Sequence, residues 1–130
     1  MDKKRSLQLH VTGPARRDIA AIVKRSLQEF GEDASRRYRA LIRQALLDIE
    51  ADPARPGSKE RPEIMIEGAR TYHITLSRGR VSGPRVKEPR HFVLYRRRED
   101  GAIEVARILH DGRDLERLLP EHYRPGAAPS

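Results

Sequence analysis

The chain contains no cysteine. That excludes a disulfide framework, thiolate metal ligation and a cysteine nucleophile, and it fits a reducing compartment. There is no long apolar run either. The basic start Met1-Asp2-Lys3-Lys4-Arg5 leads into residues 7–11, which are too short and too polar for a signal segment or a membrane span, so a cytoplasmic protein without membrane contact is expected. A phosphate-cradling glycine loop is missing: Gly79 and Gly83 lack the strand-to-helix setting that such a loop needs. His10, His73, His91, His110 and His122 are scattered, with none three or four residues from another and none at ligand spacing from a carboxylate on a helix. No metal and no cofactor is therefore expected. No internal repeat or low-complexity tract precedes the C-terminal tail.

What remains is a chain of 130 residues, enough for one modest core and too few for two. A single domain over residues 1–122 with a flexible tail at 123–130 is the expectation. The chain is 37% hydrophobic and 35% charged, and its apolar residues fall in periodic clusters, so it should fold beneath a heavily charged surface. The net charge of +8, carried mainly by arginine, suits a polyanionic partner such as nucleic acid or an acidic protein segment. Solubility alone is the plainer explanation, and charge does not choose between them.

Residues 90–120 organise the rest. His91-Phe92-Val93-Leu94-Tyr95 and Ile103-Glu104-Val105-Ala106-Arg107-Ile108-Leu109-His110 are joined across Asp100-Gly101, a dipeptide that tolerates the positive φ of a tight hairpin, and a short helix should follow to Pro120. A lone hairpin cannot bury enough surface to stand in water, so it must sit inside a larger sheet covered on one face. Ile103, Val105 and Leu109 alternate while Ala106 and Ile108 make the other side apolar too, which suits an interior strand.

Upstream, residues 7–11 alternate as a first strand, and Thr12-Gly13-Pro14 supplies a helix cap and a first-turn proline. The stripe Ile19, Ile22, Val23, Leu27 and Phe30 predicts one amphipathic helix ended by Gly31; Tyr38, Leu41, Ile42, Ala45, Leu46 and Ile49 predict a second. So tight a junction makes an antiparallel pair with its apolar faces on the sheet. Pro53, Pro56, Gly57, Ser58 and Pro62 mark a surface connection. Residues 71–76 then alternate, with Tyr72, Ile74 and Leu76 on one face and Thr71, His73 and Thr75 on the other, before a breaker-rich basic loop at 77–89. The expected class is α+β, in the order β-α-α-β-β-β-(α), a mainly antiparallel sheet covered on one face by a helical hairpin.

Candidate chemistry is sparse. In His110-Asp111-Gly112-Arg113-Asp114 the aspartates and glycine can simply cap and turn into the short helix, or Arg113 can offer a fixed guanidinium to a phosphate or carboxylate. Tyr72 and Tyr95 suit core packing, or a sheet surface that stacks RNA bases together with His73.

Three segments resemble the RelE/ParE superfamily of toxins from bacterial type II toxin–antitoxin pairs, and its ParE branch most: residues 11–19 at the strand-to-helix junction, the tyrosine-bearing strand 90–96, and 105–115, where a hydrophobic strand closes on Leu109-His110 and is followed by Arg113-Asp114. The resemblance covers about residues 7–120. It implies the fold just described and a small toxin neutralised by an antitoxin whose flexible C-terminal segment folds on binding. ParE-like toxins bind DNA gyrase and stall it on cleaved DNA, whereas RelE-like relatives cut mRNA on the ribosome. Matched to the relatives' nuclease residues, this chain keeps only His73, His91 and Arg113, with Thr75 and Leu119 at positions where a basic residue and a tyrosine are usual, so a non-enzymatic gyrase inhibitor with a ParD-like antitoxin is expected, a RelE-like ribonuclease being the alternative. Arg78, Arg80, Arg85 and Lys87 of the long loop, with Arg113, are the expected target contacts. Arg16, Arg17, Arg36 and Arg37 are the expected antitoxin contacts, with operator DNA reached only through the antitoxin.

Overall fold

Leu9 and Val11 anchor the first strand, β1 (Leu9–Val11), and the chain turns into helix α1 (Gly13–Phe30) at Thr12. The structure, a computed structural model, describes residues 8–64, 66–112 and 114. The Thr12 hydroxyl accepts the Ala15 amide at 3.2 Å and donates to the Ala106 carbonyl at 3.1 Å, so one side chain both caps the helix and ties it to the sheet. Gly31 ends α1 at φ 94°, a region an L side chain enters only with strain, and helix α2 (Glu32–Ala51) restarts with Glu32 and Asp33 at its electropositive end.

The remaining strands are β2 (Lys59–Glu60), β3 (Arg70–His73), β4 (His91–Arg97) and β5 (Ile103–His110). They form one sheet in the order β1-β5-β4-β3-β2, with β1 parallel to β5 and every other pair antiparallel. This is the expected α+β class, and β5 is interior as its two apolar sides required. The hairpin turns at Gly101, φ 90°, beside Asp100, whose carboxylate accepts the Ala102 amide at 3.0 Å.

Leu41, Ile42, Ala45 and Ile49 of α2 bury the face of the sheet that carries Tyr72, Val93, Tyr95, Ile103, Val105 and Ile108. Each of the Leu, Ile and Val side chains so withdrawn from water contributes about 1.5–3 kcal/mol. The opposite face carries a smaller cluster of Phe92, Leu94 and Leu109 beneath Ile64 and Ala69. The proline-rich connection after α2 therefore supplies an edge strand and a partial second cover, which its polar composition did not signal.

Other details depart from the sequence pattern. Tyr95 pairs with Val105 and Leu94 with Arg107, so Ala106 is an extra residue on β5. A bulge of this kind inverts the alternation beyond it. Ile108 consequently joins Val105 on the helix side and Leu109 moves to the other face, the reverse of strict alternation. The strand expected over 71–76 stops at His73, and residues Ile74–Arg80 form a 3₁₀ helix, leaving Leu76 half exposed. The cause is tertiary. His73 Nδ1 accepts the Thr75 amide at 3.1 Å, and the buried Asp48 carboxylate of α2 takes Ser77 Oγ at 2.6 Å and Arg80 Nε at 3.0 Å, drawing the chain off the sheet. The short helix expected before Pro120 and the tail at 123–130 lie outside the described residues, as does Leu7.

Candidate functional site

Helix α1 is covered over only part of its length. Ala15 is fully buried and Ile19 and Ile22 pack against the core, but Leu27 is 45% exposed and Phe30 72%. The stripe expected to lie wholly on the sheet therefore overhangs it. Beneath the overhang an open groove of about 1040 Å³ runs from Phe30, Ile22 and Ala34 down to Val86 and Ile108. The sheet is too narrow to follow α1 to its end, because β1 pairs with β5 only as far as Val105.

Side chains close what β1 leaves open. The Asp18 carboxylate accepts Arg107 Nε at 2.7 Å and Nη2 at 3.1 Å, and also the Ile108 amide at 3.0 Å, while Asp114 accepts the His110 amide at 2.9 Å. Blocked amides of this kind discourage unwanted strand pairing at an edge. The Arg107 pKa is raised by its hydrogen bond to Asp18.

Tyr38 and the histidines floor the groove. The Tyr38 hydroxyl accepts the Arg90 amide at 2.9 Å and shares a second hydrogen bond with His91 Nδ1 at 2.6 Å. Burial raises the Tyr38 pKa, which keeps the phenol protonated. The His91 and His110 rings meet edge to face at 5.4 Å, and His110 Nδ1 accepts the Gly112 amide at 3.0 Å.

His73 is elsewhere. It lies opposite Phe92 on the other face of the sheet, donating from Nε2 to Asp111 at 2.9 Å while its Nδ1 holds the Thr75 amide. Asp111 also receives Arg90 through Nε at 3.0 Å and Nη2 at 2.9 Å. Burial pushes the Asp111 carboxyl up, but the hydrogen bonds from Arg90 and His73 outweigh it and leave its pKa below the ordinary carboxylate value. Asp111 is thus a clasp between the ends of β3, β4 and β5. His73 and His91, candidate partners in a nuclease, point to opposite faces, and Arg113 lies outside the described residues. Among the described residues no cluster of metal-ligating side chains occurs, and no helix is long and apolar enough to cross a membrane.

The basic candidates divide in the same way. Arg78 donates to the Val86 and Lys87 carbonyls at 3.2 and 2.9 Å, and Arg80 is held by Asp48, so both staple the loop to the body. Arg85 and Lys87 line the groove together with Arg37, bringing residues expected for two different partners onto one rim. Arg16 is turned back to the Val11 carbonyl at 3.2 Å, Arg17 is exposed, and Arg36 faces solvent beside Asp33. Tyr38 and Phe30 were legible only as helix-stripe residues, and Asp18 and Arg90 lay within the family-like segments without a role of their own.

A family model described as the ParE toxin of the type II toxin–antitoxin system parDE matches residues 9–115. The chain belongs to this ParE toxin family. It is a type II toxin, and the partner class that goes with it is an antitoxin. A solved structure described as the chromosomal ParDE TA system from P. aeruginosa resembles the toxin with a TM-score of 0.59 and 17% identity, over 81% of this chain and 96% of that one. At that identity the likeness carries the fold alone. No curated protein matches the chain.

Proposed function

We propose that this ParE-family toxin acts by binding and poisoning DNA gyrase in the cytoplasm, and that a ParD-like antitoxin neutralises it by laying an amphipathic segment in the groove beneath α1. The overhang carries the reading. Phe30 and Leu27 are large apolar side chains left in water beside a groove whose rim holds Arg37, Arg85 and Lys87, and a segment with apolar anchors and acidic flanks would satisfy both features. Arg16, Arg17 and Arg36 lie outside that lining, so Arg37 becomes the principal charged antitoxin contact.

A binding mode of action fits the histidines better than a ribonuclease does. A general base and a transition-state clamp must converge on one phosphodiester. His73 and His91 occupy opposite faces, and His73 already has a partner on each ring nitrogen. The target surface is then the loop side, with Arg85 and Lys87 as contacts and Arg78 and Arg80 holding their loop in place.

The test is a supercoiling and cleavage assay with purified gyrase, toxin, and the product of a neighbouring antitoxin gene. Trapped cleavage relieved by that product is the expected result. A toxin that spares gyrase but cuts ribosome-bound mRNA, and loses that activity on His91→Ala, would overturn the proposal.

A further inference from the structure

The solvent face of α2 carries a row of arginines that neither the groove nor the loop uses. At 100° per residue, Arg36, Arg39 and Arg43 fall within about 60° of one another on the side opposite the buried Leu41, Ala45 and Ile49. All three are exposed. Arg39 and Arg43 make no hydrogen bond or ion pair among the described residues, and Arg36 shares one exposed contact with Asp33, worth little in water. Exposed Glu32 and Asp33 flank the row at one end and Glu50 at the other, with Ala40 among the arginines and Leu47 beyond Arg43. Helices without a partner on this face ordinarily alternate charge sign; this one places three like charges within two turns, spacing that costs a few tenths of a kcal/mol per close pair.

From this row we infer that the toxin itself grips the phosphate backbone of duplex DNA along α2. Seven residues of helix rise span about 10 Å, and with the reach of the arginine side chains the row covers about two to three successive phosphates of a single strand. Arginine is suited to them by its planar fork. Single-stranded RNA would call for aromatic platforms beneath its bases, and the row has no aromatic side chain. An acidic peptide would need apolar anchors among the charges, and Leu47 alone, at the far end, is a poor one. The contact reads no sequence, because no side chain here is aimed at base edges. It is a direct route to DNA, separate from the indirect one through an antitoxin, and it holds DNA beside whichever enzyme the toxin engages.

The experiment is fluorescence anisotropy of a labelled 20-base-pair duplex titrated with the full-length toxin from 25 to 200 mM salt. The expected slope of log K against log[salt] contains about 0.9 per gripped phosphate. Replacing all three arginines by alanine should therefore flatten it by two to three and weaken binding at least tenfold at the lowest salt, while a triple lysine variant keeps most of the slope. Phe30→Ser, which alters only the groove, should leave DNA binding unchanged. Circular dichroism confirms that each variant is folded. Equal DNA binding by the wild-type and alanine proteins would overturn the inference, as would no binding by the wild type at 25 mM salt, or tighter binding of single-stranded RNA or polyglutamate than of the duplex.

Discussion

Asp48 is the residue through which the helical layer controls the loop, and its removal can be worked through bond by bond. Its side chain is 4% exposed and accepts Ser77 Oγ at 2.6 Å, Gln44 Nε2 at 2.9 Å and Arg80 Nε at 3.0 Å. These are unequal. The Ser77 hydroxyl is wholly buried and donates to a charge, so that bond is worth about 2 kcal/mol; the Gln44 bond is worth about 1. Arg80 is 60% exposed, and its share falls below about 1 kcal/mol through solvent screening. Asp48→Ala should therefore cost about 3–4 kcal/mol, within the range for breaking a buried polar pair. In a domain of this size that lowers the thermal midpoint by about 12–16 °C. Ser77→Ala should by itself reproduce at least half of that cost, and Arg80→Ala much less. Limited proteolysis should show residues 77–89 cut faster in the Asp48 variant. If Asp48→Ala cost less than about 1 kcal/mol by calorimetry, or if Arg80→Ala cost as much as Ser77→Ala, the view of Asp48 as a buried anchor would be wrong.

Thr12→Ala removes both the α1 cap and the tie to Ala106, and should cost about 1–2 kcal/mol in urea unfolding, against a few tenths for an ordinary exposed threonine. Asp111 has a folded pKa below its unfolded value, so its contribution is complete above about pH 3.9 and is lost as pH falls through the lower folded value; Asp111→Asn should lower stability at pH 7 and flatten the acid limb of a stability–pH profile. Phe30→Ser should change toxin stability by less than about 0.5 kcal/mol, because its ring is solvent-exposed in the free toxin, yet weaken antitoxin binding about thirtyfold by calorimetric titration if the ring anchors the proposed segment. Arg85→Ala with Lys87→Ala should reduce gyrase poisoning at least tenfold with the fold intact; unchanged poisoning would remove the loop from the target surface.

The helical hairpin is legible in the amino-acid sequence because its signals are local. Thr12 and Pro14 start α1, Gly31 breaks it, and the α2 stripe from Leu41 to Ile49 buries one face through nearest-neighbour periodicity. The Asp100-Gly101 hairpin and the interior place of β5 follow from equally short-range chemistry, and so does membership of a toxin family, carried by contiguous segments at the two ends of the domain.

The site was set by tertiary structure. Residues 71–76 alternate like a strand, but Ser77 and Arg80 bond to a carboxylate about thirty residues away, and no local pattern encodes that partner. The bulge at Ala106 exchanged the faces of Ile108 and Leu109, which alternation alone cannot foresee, since one extra residue inverts everything beyond it. Phe30 read as core because periodicity says which side of a helix is apolar and nothing about how far the sheet beneath it extends. Short-range chemistry in the chain is enough to set the helical hairpin, β1, the β4–β5 hairpin and the family, but not β2 or the 3₁₀ helix at Ile74–Arg80. Which apolar residues stay in water, which arginines are committed to staples and which face outward were settled only when β1 stopped at Val11 and left the end of α1 without a floor.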